Sequence, residues 1–130
     1  MIPPVEEGTS SMLISMLKAK LHHLRVTQAE RDYEGSLTLD PAVMERVGIL
    51  PNEKVLVANL ENGERFETYA ILGERGSRVA CLNGAAALKG AVGDRLIVMT
   101  WCLLTPEEAR THRPQAVRFN ERNEIVAAAQ

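Results

Sequence analysis

Aromatic residues are scarce in this chain: one tryptophan, two tyrosines and two phenylalanines make up 4% of 130 residues. Aliphatic side chains must therefore fill the interior, and a long stacking platform for single-stranded nucleic acid is excluded. Cysteine is limited to Cys81 and Cys102, far apart and each within an apolar run. That excludes a disulfide framework and reads as reduced core cysteine in a cytoplasmic protein. The longest apolar run, Leu96 to Leu104, falls far below the roughly 18 residues a bilayer span needs. No charge of one sign dominates: the formal net charge is −2 with signs interspersed, so no broad basic field exists for nucleic acid or an anionic membrane. Met1 to Ser11 contains prolines and acidic residues and no basic stretch leading into an apolar one. No targeting segment is expected there, and the protein is expected to be soluble and cytoplasmic.

What is present is an ordinary globular balance, 45% hydrophobic and 25% charged. A chain of this length buries roughly two thirds of its unfolded surface and folds as one domain without metals or disulfides. Residues 1–11 are expected to form a flexible leader, 12–120 the folded domain, and 121–130 a flexible tail frayed from Ile125. Leu13 to Gln28 alternates short apolar segments with Lys18, Lys20, His22, His23 and Arg25, which fits one or two strands with a polar face, with helix as the alternative. Asp40 followed by Pro41 starts a short helix over 41–47 that Gly48 stops. Val55 to Asn59 and Arg65 to Leu72 read as a hairpin, with Asn62 and Gly63 supplying positive φ at the turn. Arg78 to Leu82 is a further strand. Asn83 and Gly84 then turn into a helical turn, 85–89, that Gly90 closes. Arg95 to Cys102 reads as a strand buried on both faces. Thr105 to Glu108 is a capping box, and Gln115 to Asn120 returns as a strand after Pro114. Many short strands with three stubby helices predict a small, mainly β barrel.

The chemistry-bearing residues are mostly ordinary when taken singly. Gly35 followed by Ser36 is a common turn pair, Lys20 and Arg65 are by default solvated charges, and Tyr69 and Thr68 are usual strand residues. His22 and His23 do not suggest a metal, because adjacent strand residues point to opposite faces and no third ligand lies nearby. Gly84 to Ala87 lacks the downstream residues of a phosphate loop.

Together, in order, they say more. Lys20, Leu21 and His22; Tyr33, Glu34, Gly35 and Ser36; Asn62 and Gly63; Arg65 with Thr68, Tyr69, Ala70 and Ile71; Glu74 to Ser77; Asn83 to Ala87; Gly93 and Asp94; and Glu107 to Arg110 resemble the aspartate 1-decarboxylase family from Met12 to about Asn120. The resemblance implies a double-psi β-barrel assembled as a homotetramer, with active sites between neighbouring subunits. It implies a proenzyme that cleaves itself between Gly35 and Ser36, leaving a covalent pyruvoyl group made from Ser36, with no metal and no pyridoxal phosphate. That group would take the amine of L-aspartate as a Schiff base and release β-alanine and CO₂, supplying pantothenate and coenzyme A biosynthesis.

The residue chemistry fits those roles. A hydroxyl beside its own preceding carbonyl can convert an amide into a more labile ester, and Gly35 is expected to adopt a strained turn that allows the approach. Thr68 and Asn83 are candidate donors to the resulting oxyanion, the family pattern favouring Thr68. Tyr69 matches the family's proton donor, since a phenol keeps its proton at neutral pH. Lys20 and Arg65 offer cations for the two carboxylates, without an assignment of which holds which. His22, Asn83, Gly84, Ala85 and Ala86 match the substrate-binding positions, and Tyr33 matches a position that lines or orders the site. Ala58 departs from the aromatic some members carry, and the first eleven residues extend beyond the usual start. Whether maturation needs a partner protein is open at this level. The alternative is a non-catalytic barrel of related topology that serves as a regulatory or binding module.

Overall fold

The computed structural model describes residues 11–129. The leader expected over 1–11 therefore lies, apart from Ser11, outside the described residues. Nine strands and three short helices follow: β1 (Ile14–Arg25), β2 (Gln28–Glu30), β3 (Ser36–Leu39), α1 (Pro41–Val47), β4 (Lys54–Asn59), β5 (Arg65–Leu72), β6 (Ala80–Asn83), a 3₁₀ turn (Gly84–Lys89), β7 (Arg95–Leu104), α2 (Pro106–Thr111), β8 (Gln115–Phe119) and β9 (Ile125–Ala128). The strand order is β2-β6-β3-β5-β4-β7-β1-β8-β9. Because β1 runs into β2 after two residues, one continuous segment pairs with β7 and β8 near one end of this order and with β6 at the other, and the sheet closes into a barrel. Parallel pairs β1/β8, β2/β6 and β3/β5 sit among antiparallel ones, the mixed, crossing pairing of a double-psi barrel rather than a meander.

Local chemistry explains the helices. Asp40 accepts from the Ala42 amide at 2.9 Å and caps α1, and Gly48 ends it in the left-handed region at φ 78°. Asp40 also accepts from the amides of Gly76 at 3.1 Å and Arg78 at 2.9 Å, so one buried carboxylate joins α1 to the approach of β6. Burial would raise this carboxyl, but the Arg78, Ala42 and Gly76 amides outweigh it and hold it below the ordinary range. At α2, Thr105 and Glu108 form the expected reciprocal capping box.

The barrel interior is aliphatic: Leu21, Leu24, Leu37, Leu39, Val55, Val57, Leu82, Leu96 and Val98 are fully buried. Each such side chain contributes about 1.5–3 kcal/mol relative to exposure. Four expectations require correction. β7 is not buried on both faces: Leu96, Val98 and Thr100 point inward, whereas Trp101 and Leu103 are 49% and 64% exposed. The tail from Ile125 is not frayed but forms β9 against β8, with Val117 paired to Ala128. Gly90 does not close its helix in the left-handed region; it is extended, and a Cβ there would come within 2.7 Å of Leu82 Cδ1, so the position requires space rather than conformational freedom. In the β4–β5 hairpin only Gly63 has positive φ, while Asn62 uses its side chain, accepting from Glu64 and donating to Lys89.

Candidate active site

Ser36 opens β3 directly opposite Asn83, the last residue of β6. Both are buried, at 1% and 3% exposure. Asn83 Nδ2 donates to Ser36 Oγ at 3.0 Å and to Thr38 Oγ1 at 2.8 Å, and Asn83 Oδ1 accepts from Cys81 Sγ at 3.2 Å. The Ser36 hydroxyl in turn donates a long bond, 3.4 Å, to the Glu34 carbonyl. A hydroxyl held between an amide donor and a carbonyl, one residue after a glycine, lies within one peptide unit of a possible electrophile.

The conformational freedom expected of Gly35 belongs to Gly84. Gly35 is outside the left-handed region and a Cβ there would meet only Asn83 O, at 4.0 Å. Gly84 has φ +66°, and a Cβ on it would stand 2.7 Å from Gly35 Cα, 2.8 Å from Gly35 N and 2.9 Å from the Tyr33 carbonyl. Glycine at 84 is what lets the backbone before Ser36 lie against the start of the 3₁₀ turn. Tyr33 itself is 59% exposed.

A cleft of about 280 Å³ adjoins this bond, lined by Gly35, Thr68, Asn83, Ala85 and Ala86, with Phe66, Glu67 and Lys89 completing it. It gathers five of the sequence-predicted positions, Gly35, Thr68, Asn83, Ala85 and Ala86, with Ser36 against Asn83 and Gly84 against Gly35. Lys89, Cys81 and Thr38 were missed. Cys81 and Thr38 had a signal in the sequence, since each is two residues from a predicted site residue on a strand and so shares its face. Lys89 forms an ion pair with Glu64 at 3.0 Å.

The remaining predicted residues lie elsewhere. Along β5, Arg65, Glu67 and Tyr69 alternate with Phe66 and Thr68 and project from the outer face of the barrel, although Glu67 also lines the cleft. Strand register then places Lys20 and His22 on that same face: Arg65 is paired across to Ala58, Ile97 and His22, and Glu67 to Leu56, Met99 and Lys20. Ala58 thus stands between Arg65 and Ile97, where a larger side chain would fill the surface. Lys20 and Arg65 form no ion pair among the described residues.

His22 and His23 do not point to opposite faces. A register shift between His22 and Leu24 puts His23 at φ 66°, and the two rings stack at 3.9 Å. Burial, then His23, Lys20 and Arg118, push His22 below its ordinary value, so its ring is neutral at neutral pH. His22 Nδ1 is buried without a partner.

Fold and site together define a small double-psi barrel that presents a Gly–Ser bond beside a cleft, and an outer face that carries Lys20 and Arg65. The family profile of aspartate decarboxylase matches residues 12–126. The aspartate 1-decarboxylase of Caldicellulosiruptor saccharolyticus is 56% identical over 115 residues, covering 88% of this chain and 90% of the relative. Those of Salinibacter ruber, 53% identical over 88% of this chain and 79% of the relative, and Clostridium acetobutylicum, 52% identical over 88% and 90%, are similar. Among solved structures, a rationally designed protein overlaps 59% of this chain and 90% of its own at a TM-score of 0.45 and 16% identity. The chain belongs to the aspartate decarboxylase family.

Proposed function

We propose that this chain is an enzyme that decarboxylates L-aspartate to β-alanine and CO₂ for pantothenate biosynthesis, after cleaving itself between Gly35 and Ser36. The observation that carries the reading is the buried Ser36 hydroxyl in contact with Asn83, immediately after a glycine that borders a cleft. Ser36 Oγ bonds to the Gly35 carbonyl carbon, the C–N bond to Ser36 breaks, and the Ser36 nitrogen takes up the hydroxyl proton, leaving an ester. Removal of the Ser36 Cα proton with departure of the Gly35 carboxylate gives dehydroalanine. Addition of water and loss of ammonia then leave a pyruvoyl terminus.

Thr68 lines the cleft beside Gly35, which suits it to donate to the carbonyl oxygen as it gains charge, while the two Asn83 amide hydrogens are given to Ser36 Oγ and Thr38 Oγ1. The residues present fit the group: position 36 is enclosed, small side chains at Gly84, Ala85 and Ala86 leave room beside it, and an amide donor faces it. The bound pyruvoyl group supplies a carbonyl electron sink for loss of CO₂. Arg65 and Lys20 hold the substrate carboxylates, Tyr69 holds at its phenolic oxygen the proton that replaces the lost carboxyl, and His22 orders this surface.

Thr68 and Asn83 lie in the cleft, whereas Lys20, His22, Arg65 and Tyr69 share the outer face with Glu67, so that face of a neighbouring copy is suited to complete the site. This supports a homotetramer in which the outer face of one copy closes the cleft of the next. The exposed Trp101 and Leu103 on that face are apolar surface suited to burial against another copy. Among the described residues no helix is long and apolar enough to cross a membrane, and a cytoplasmic location completes the proposal.

The test is conversion of L-aspartate by the purified full chain and by Ser36→Ala. β-Alanine from the wild type and none from the variant is the expected result; equal, absent conversion in both after prolonged warming overturns it.

A further inference from the structure

Ser36, Thr38, Cys81 and Asn83 form a closed polar cluster between β3 and β6, with Ser36 opposite Asn83 and Thr38 opposite Cys81 in the antiparallel register. Its centre is a carboxamide, whose two ends differ only in being donor or acceptor. The hydroxyls of Ser36 and Thr38 can each donate or accept, so neither distinguishes the amide's nitrogen from its oxygen. The thiol does. Cys81 is 4% exposed, with Sγ 3.2 Å from Asn83 Oδ1. Burial, and then the Glu30 carboxylate, push its thiol up, so it keeps the hydrogen it gives to Oδ1.

We propose that Cys81, with Thr38 as second anchor, is a positioning residue that fixes the Asn83 carboxamide with its amino group toward Ser36 Oγ. With that orientation Ser36 receives a hydrogen bond from Asn83 Nδ2 at 3.0 Å, and its own proton is directed away, toward the Glu34 carbonyl. The oxygen is thereby prepared to lose its proton and carry charge. With the amide reversed, a carbonyl oxygen would face Ser36, draw the proton back and oppose any negative charge on Oγ. Thr38 Oγ1 takes the second amide hydrogen at 2.8 Å, and in the reversed rotamer the amino group would meet the thiol hydrogen of Cys81, donor against donor.

The inference rests on self-cleavage at Gly35–Ser36, and its test separates the two. Cleavage rates of full-length chains, followed by intact mass, are compared for wild type, Cys81→Ala and Cys81→Ser. Loss of the thiol donor is expected to slow cleavage by about tenfold, the kinetic equivalent of one hydrogen bond, and serine, which also donates, is expected to restore it to within about twofold. A packing role predicts the reverse order, since alanine suits an apolar site better than a buried hydroxyl. In parallel, side-chain amide exchange of Asn83 is read by NMR in the uncleavable Ser36→Ala background, with protection lost on adding Cys81→Ala and regained with Cys81→Ser. Wild-type cleavage kinetics for folded Cys81→Ala, or unchanged Asn83 protection, overturns the positioning role. Absence of cleavage in wild type with the protection pattern intact overturns self-cleavage and leaves the positioning role standing.

Discussion

The Cα of Gly35 lies where a Cβ on Gly84 would approach to 2.7 Å. The two glycines therefore serve different purposes: Gly84 has the left-handed backbone, and Gly35 is the neighbour that this conformation admits.

Gly84→Ala must place a side chain at positive φ and push it into backbone at the scissile bond. A loss of more than about 1 kcal/mol in denaturant unfolding is expected, together with impaired cleavage. Gly35→Ala, with 4.0 Å to its nearest contact, should unfold within about 0.5 kcal/mol of wild type. Equal destabilisation by both would contradict this division.

Removing the candidate donor beside the Gly35 carbonyl, or the amide that holds Ser36 Oγ, should slow maturation without unfolding the chain. Thr68→Val and Asn83→Ala are each expected to reduce the cleavage rate by about 100- to 1,000-fold, read as persistence of the full-length mass. Thr68 and Asn83 come from β5 and β6, on either side of β3 in the sheet, so their defects report a site assembled by topology.

Asp40 joins α1 to the chain before β6 through three backbone amides. Asp40→Ala should cost about 2–4 kcal/mol, combining a lost helix cap with further unsatisfied amides. Its depressed folded value means the unfolded chain binds the proton more readily. Its stabilisation is thus complete above the unfolded value near ~3.9 and is lost as pH falls through the folded one. Denaturant titrations between neutral and acidic pH should show a steeper decline for wild type than for Asp40→Asn.

Outer-face variants should separate maturation from turnover. Tyr69→Phe is expected to cleave normally yet decarboxylate about 10²- to 10⁴-fold more slowly. Chains carrying Ser36→Ala and chains carrying Arg65→Ala, each inactive alone, should recover β-alanine production when co-expressed, because the intact cleft of one meets the intact face of the other. Mixed assemblies that remain inactive would contradict a site shared between copies.

These relationships show what could be read along the chain. Asp40–Pro41, the Thr105 capping box and the β4–β5 hairpin were legible because each is settled by residues a few positions apart. The bulge that stacks His22 on His23 was not, since it arises where β1 shifts register against β7. Nor was the partition of the site: Thr68 and Tyr69 are adjacent, but only the closed barrel decides which looks into the cleft beside Gly35. The ordering of Ile125–Ala128 likewise depends on the edge of β8, which a composition reading of an alanine-rich tail does not contain. Cys81 appeared as an inert core thiol, and its distance to Asn83 Oδ1 exists only in the folded sheet.

The most direct measurement is the intact mass of the purified wild-type chain. Self-cleavage predicts two pieces, residues 1–35 and 36–130, the second lighter by one ammonia than a fragment beginning with ordinary serine, while Ser36→Ala remains whole. A wild-type chain that stays in one piece, or a second fragment that retains its serine amine, would contradict it.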